Sequence, residues 1–134
     1  MFSGVPTLKL NFTAAEDLLA NRIVIINASD ATKVEYPAAE YDGKLIGITA
    51  HAAAQDESID VCIAGVHPLT VDGNAANIAA GDFIANHTAD GLGRKTPGTA
   101  TTKTPYIGMA LKPATADGAE IPVLIVHGIE TTET

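Results

Sequence analysis

The chain carries the same short apolar pattern twice, at a nearly constant spacing. Three blocks recur in the same order, 60, 61 and 62 residues apart: ANRIVI at 20 and AGDFIA at 80, LIGITA at 45 and YIGMAL at 106, SIDVCI at 58 and EIPVLI at 120. Such a repeat indicates two copies of one supersecondary unit that bury their apolar faces together. We therefore predict an internally duplicated all-β unit with one core.

Short β-branched runs bounded by Gly, Asp and Pro are typical of strands, and no long stripe of helical period interrupts them. They predict strands at residues 22–27, 33–36, 44–49, 58–66, 82–87, 93–96, 105–111 and 120–127. Gly65 allows a bulged continuation as far as residue 71, in which Pro68 is unsuited to central pairing. Residues 50–57 are predicted to be a connection, because their counterpart at 112–119 contains proline and glycine.

Length and composition favour a single domain. The 134 residues are 46% hydrophobic, but without Trp and with only three Phe and three Tyr the core is thin in large side chains. A thin core favours self-association, since a partner surface can supply additional apolar burial. The residues we expect in the core are Ile46, Ile48, Ile59, Val61, Ile63, Ile107, Val123 and Ile125.

The two ends lie outside the repeated blocks. Residues 1–20 are predicted to be an extended N-terminal arm, followed by a β domain at 21–129 and an acidic tail at 130–134. The arm needs a surface that the core does not provide, so we expect it to order on a partner through five apolar residues: Leu8, Leu10, Phe12, Leu18 and Leu19. Residues 97–104, rich in Thr, are predicted to be a peripheral loop.

The charge excludes some classes of partner. Sixteen acidic and eight basic residues give a net charge of −8, which disfavours nucleic acid. No signal peptide and no run of about twenty apolar residues is present, so we expect synthesis in a cytoplasm and no membrane span.

Residues that could carry chemistry are scattered. His51, His67, His87 and His127 lack the close spacing of zinc ligands, and the single Cys62 lies in a predicted strand, which favours a buried inert thiol. Residues 91–96, GLGRKT, lack the strand and helix of a phosphate loop. We therefore predict no catalytic residue, no metal and no cofactor.

The order of these blocks resembles the capsid cement, or decoration, proteins of tailed bacteriophages. The resemblance covers residues 20–129 and is carried by the order of the blocks, from LIGITA at 45–50 to a final VLIV strand at 123–126. It implies a β-barrel or β-tulip body that is not an enzyme and sits on the outside of an icosahedral head. It also implies a trimer that bridges major capsid protein subunits. Two alternatives stay open: a small β-barrel enzyme or carrier domain that uses a histidine, and an adhesin-like structural module.

Overall fold

The computed structural model describes residues 7–38, 44–73, 77–86, 90–96 and 103–131, and within them every regular element is a strand. The nine strands are β1 (Leu8–Ala14), β2 (Ile23–Ile26), β3 (Lys33–Glu35), β4 (Leu45–Thr49), β5 (Ser58–Asp72), β6 (Phe83–Asn86), β7 (Gly93–Lys95), β8 (Lys103–Ala110) and β9 (Asp117–Thr131). The prediction of an all-β chain is confirmed. No helix long and apolar enough to cross a bilayer occurs in the described part of the chain.

The strands pair into two closed five-stranded rings that share β5. The first ring runs β1-β3-β2-β4-β5 and closes through β1–β5, and the second runs β5-β7-β6-β8-β9 and closes through β5–β9. One pairing in each ring is parallel, β1–β3 and β5–β7, and the others are antiparallel. This confirms the predicted barrel. The two rings share one order of pairings, while descent from a duplicated unit stays a prediction.

A glycine shared by the two repeated blocks holds the same place in each ring. A Cβ atom on Gly47 in β4 would overlap the carbonyl oxygen of Cys62 in β5, and one on Gly108 in β8 would overlap that of Leu124 in β9. Any side chain would force the strands apart, so the close approach requires glycine.

Strand β5 takes part in both rings because a bulge reverses which of its alternate side chains point to each side of the strand. Ile59 and Val61 lie in the core of the first ring, whereas Leu69 and Val71 lie in that of the second. The register with β1 shifts where Lys9 pairs with Cys62 and Leu8 with Ala64, and Gly65 follows with a φ of 98°. The predicted bulged continuation of the strand is thus confirmed, with Ile63 as the extra residue of the bulge and Gly65 just after it.

Two prolines meet directly in the second ring. Pro68 of β5 lies opposite Pro122 of β9, and no other described strand pairs with β5 at that residue. Neither proline has an amide hydrogen to donate. The Pro122 carbonyl instead accepts a hydrogen bond from Leu111 N at 3.0 Å, on the side facing away from β5. Pro68 therefore fits a strand that is flanked on one side only.

The core consists of two apolar clusters, one in each ring. Six of the eight predicted core residues are buried: Ile48, Ile59, Val61, Ile107, Val123 and Ile125. Ile46 and Ile63 are partly buried against the first cluster. The cluster of the second ring also contains Ile23, Ile48 and Cys62, which belong to strands of the first ring, so the two rings pack directly on each other.

The predicted N-terminal arm is not confirmed, because residues 8–14 form β1 and close the first ring. The sequence LKLNFTA alternates apolar and polar residues, which is the period of a strand. Ala14 is buried and Phe12 packs against the first cluster. On the opposite face the Asn11 amide donates to Ser58 Oγ at 2.6 Å and Asp60 Oδ1 at 3.0 Å. Residues 1–6 lie outside the described residues.

The predicted loop and tail also differ from the structure. Lys103 and Thr104, placed in the loop at 97–104, begin β8, and β9 continues to Thr131, past the start of the predicted tail. The two segments pair with each other, Lys103 with Thr131 and Thr104 with Glu130, which explains why both are strands. Residues 97–102 and 132–134 lie outside the described part of the chain.

Candidate contact surfaces

Two exposed leucines mark the open end of the first ring. Leu8 and Leu10 follow the alternation of Phe12 and Ala14, whose side chains fill the ring, but lie nearer the start of β1. Leu10 pairs with Val61 and Leu8 with Ala64. Leu8 is 54% exposed and Leu10 is 42% exposed. The apolar face of β1 therefore continues past the core into solvent.

The five predicted contact residues do not form one surface. Leu18 is buried and bridges Ala53 at the end of the ring where β1 and β4 finish, and Phe12 packs in the core. Leu19, beside Leu18, projects a side chain that is 54% exposed while its amide donates to the Tyr36 hydroxyl at 2.8 Å. Leu19 is thus at the end opposite Leu8 and Leu10, and the structure brings together only these last two.

A second apolar surface crosses the sheet of the second ring. Val66 of β5 pairs with Leu124 of β9, Leu124 with Met109 of β8, and Met109 with Phe83 of β6. Residues directly opposite in neighbouring strands point to the same face, so these four side chains form one line. We call it the outer row. Leu124 is 36% exposed, and the other three members are partly exposed.

The first ring has a matching line of residues, but there it is covered. Ile23 pairs with Ile48, and Ile48 with Cys62, forming what we call the inner row. All three are buried in the cluster of the second ring. The spacings from inner to outer row, Ile23 to Phe83, Ile48 to Met109 and Cys62 to Leu124, are the 60, 61 and 62 residues of the sequence repeat. The sequence repeat therefore already relates the outer row to the buried inner row.

The histidines are tied to nearby backbone. His51 accepts the amide hydrogen of Asp60 at Nε2, 3.1 Å away. His67 donates from Nδ1 to the Pro68 carbonyl at 2.8 Å, and burial is the main cause that lowers its pKa. His127 donates from Nε2 to the Ile46 carbonyl at 2.9 Å, and His87 is outside the described residues. Among the described residues no three His, Cys, Asp or Glu side chains are grouped so as to hold a metal ion.

The other two candidates from the sequence, Cys62 and the GLGRKT segment, are part of the structural framework. Cys62 is buried, its thiol contacts the Ala64 carbonyl at 3.4 Å, and burial raises its pKa. Residues 93–95 of the glycine-containing segment form β7, whose backbone pairs with β6 instead of forming an open anion-binding loop. Arg94 in β7 makes a 3.3 Å ion pair with Asp72.

Comparison with known proteins identifies the family. A family model described as phage cement protein matches residues 3–125. The chain belongs to the phage cement protein family. Among solved structures it is similar to the N base of the head fiber gp8.5 in bacteriophage phi29, at 18% identity and a TM-score of 0.63, over 90% of this chain and 95% of that chain. That likeness shows a shared fold. No curated protein matches the chain.

Membership of this family gives the cement protein a structural role at a phage capsid, as the sequence resemblance implied. The family is one of structural phage proteins. Its two exposed apolar surfaces, the Leu8–Leu10 end of the first ring and the outer row of the second, are therefore candidates for contacts within a capsid.

Proposed function

We propose that this cement protein binds the outer surface of an icosahedral phage head and bridges neighbouring major capsid protein subunits. We further propose that it is made in the host cytoplasm and acts as a homotrimer, and that the end of the first ring that carries Leu8 and Leu10 contacts the shell. Leu19 is not part of this proposed contact, since it lies at the opposite end.

The observation that carries the proposal is the exposure of two large apolar side chains at one end of a closed ring. Fully burying a leucine side chain stabilises by about 1.5–3 kcal/mol. Leu8 and Leu10 together expose about one leucine equivalent, given 54% and 42%. Their burial against a shell would therefore contribute about tenfold to hundredfold in affinity per copy. Many copies on one head turn such modest contacts into lasting attachment.

The test is co-sedimentation of purified protein with empty heads. The double variant Leu8→Ser, Leu10→Ser is compared with Leu19→Ser, a matched control because Leu19 and Leu8 are equally exposed, at 54%. We expect the double variant to bind about tenfold to hundredfold more weakly, and the control to bind like the parent chain. Urea unfolding of each variant shows whether the body is still folded. Equal binding of the double variant and the parent would exclude this end as the shell contact.

A further inference from the structure

We propose that the outer row is the surface on which a second copy of this chain docks. The inference rests on the self-association in the proposed function and names the residues that would mediate it. The inner row lies at the equivalent position of the first ring, where it packs against another part of the protein. In the first ring the three positions of the inner row are covered, and what covers them is the other half of the same chain. The fourth position, where the outer row has Val66, is held by Lys9, which pairs with Cys62 and is exposed. The equivalent row of the second ring has no such cover among the described residues.

The composition of the outer row is that of a protein interface. Aromatic residues and methionine are enriched in interfaces relative to the rest of a protein surface. The chain has six aromatic residues and two methionines, and Phe83, Tyr106 and Met109 meet at this face. The Phe83 and Tyr106 rings stack with centroids 4.3 Å apart. Residue types that are rare in this chain are thus grouped at a partly exposed site.

The outer row carries no charge that a contact with a second copy would bury. Each copy has a net charge of −8, so two copies repel each other at long range. All four members of the outer row are uncharged. The neighbouring pair on the same face, Pro68 and Pro122, is uncharged too. Two copies could therefore meet here without burying an ion, which would be costly.

The area of the outer row sets the expected affinity of the self-association. Four strands about 4.8 Å apart span about 14 Å, and residues 122–126 of β9 extend about 13 Å along the strand. That area is well below the ~800 Å² per partner of a standard stable interface. We therefore expect weak, concentration-dependent association in solution. On a head, attachment raises the local concentration and favours the same contact.

The test is sedimentation velocity of the full chain from about 10 μM to about 1 mM, a range suited to weak association. Leu124→Lys places a charge in the row, and Leu19→Lys is the control on the other ring. We expect the parent and the control to associate, and Leu124→Lys to dissociate at least about tenfold more readily. The association should strengthen between about 0.05 M and 0.5 M salt, because salt screens the repulsion between acidic copies. Val126→Lys, which replaces a 48% exposed side chain on β9, is the second variant if Leu124→Lys unfolds.

Three results would overturn the proposal. The first is a parent chain that stays monomeric up to about 1 mM at about 0.5 M salt. The second is a folded Leu124→Lys or Val126→Lys variant that associates as the parent does. The third is weaker binding of monomeric Leu124→Lys to empty heads at occupancies too low for bound copies to touch, which would assign the row to the shell. The head-binding assay of Leu8 and Leu10 is read separately, so the two proposals can fail independently.

Discussion

Replacing Ile48 by alanine should destabilise the entire protein, because this side chain joins the two rings. Ile48 is 0% exposed and lies between Ile23 and Cys62 in the inner row. Its side chain packs in the cluster that fills the second ring, although β4 belongs to the first. Truncation of a buried isoleucine costs about 2–5 kcal/mol, because the surroundings relax only partly into the cavity. Backbone pairing on both sides of β4 limits that relaxation here.

Met109→Ala is the matched comparison, since Met109 holds the equivalent place in the outer row. It pairs with Phe83 and Leu124 but is only partly buried in the single chain. Removing it leaves a surface depression that water can fill, so we expect a cost of about 1 kcal/mol or less. The two substitutions thus test whether equivalent positions in the two rings differ in burial.

Urea unfolding followed by circular dichroism measures both costs. At an m value of about 2 kcal/mol per M, Ile48→Ala should lower the midpoint by about 1–2.5 M and Met109→Ala by about 0.5 M or less. The protein concentration is kept low, so that self-association does not contribute to the stability of the parent chain. Midpoint shifts of equal size would refute the argument, because they would mean that the inner row is no better covered than the outer one.

Three further predictions follow from buried or crowded positions. Cys62 should react with a thiol reagent only after unfolding, as burial both shields the thiol and raises its pKa; rapid labelling of the folded chain would contradict this. The lowered pKa of His67 means that unfolding takes up a proton, so the free energy of unfolding should fall as pH drops below about 6.5, and His67→Gln should flatten that slope. Gly47→Ala and Gly108→Ala should each destabilise by more than about 1 kcal/mol, since the added Cβ overlaps backbone; unchanged urea midpoints would show that the strands can separate.

The strands that sequence predicted best are those with β-branched runs between turn residues. The run at Ile23–Ile26 and the two glycine-containing blocks at β4 and β8 are examples. There, local propensity, side-chain alternation and turn chemistry all indicate the same structure. The resemblance to capsid cement proteins, drawn from the order of these blocks, is confirmed by the family match.

Strand β1 was missed because the repeat has no separate counterpart for it. In the second ring its place is taken by the end of β5, which pairs in parallel with β7 as β1 does with β3. The two segments, LKLNFTA and VHPLTVD, share little sequence. The strand pattern of β1 was nevertheless present in its alternation. Its role in closing the ring depends on pairing with β5, about fifty residues away, and local sequence carries no such information.

The contact surfaces were harder to predict for a related reason. Hydrophobicity identified five residues of this segment as one group: Leu8, Leu10, Phe12, Leu18 and Leu19. Yet Phe12 and Leu18 pack in the core, and Leu19 is at the other end of the ring. Exposure depends on which element packs over a residue, and that is decided by the tertiary structure. The same limit applies to Met109, whose block matches that of Ile48 in the sequence although the two residues differ in burial.

The difference in side chains between the two rows fits the difference in what they contact. The inner row is built from compact residues, Ile, Ile and Cys, which suit a permanent contact that is packed once, as the chain folds. The outer row has Phe, Met and Leu at the corresponding places, which are larger and, for Met, more adaptable. A surface that is solvent-exposed in the free protein and buried in a complex must be able to repack when the partner binds. A chain with so few large side chains would gain little by placing three of them there if that face stayed exposed. Leu124→Lys is therefore the variant that should separate self-association from folding most cleanly.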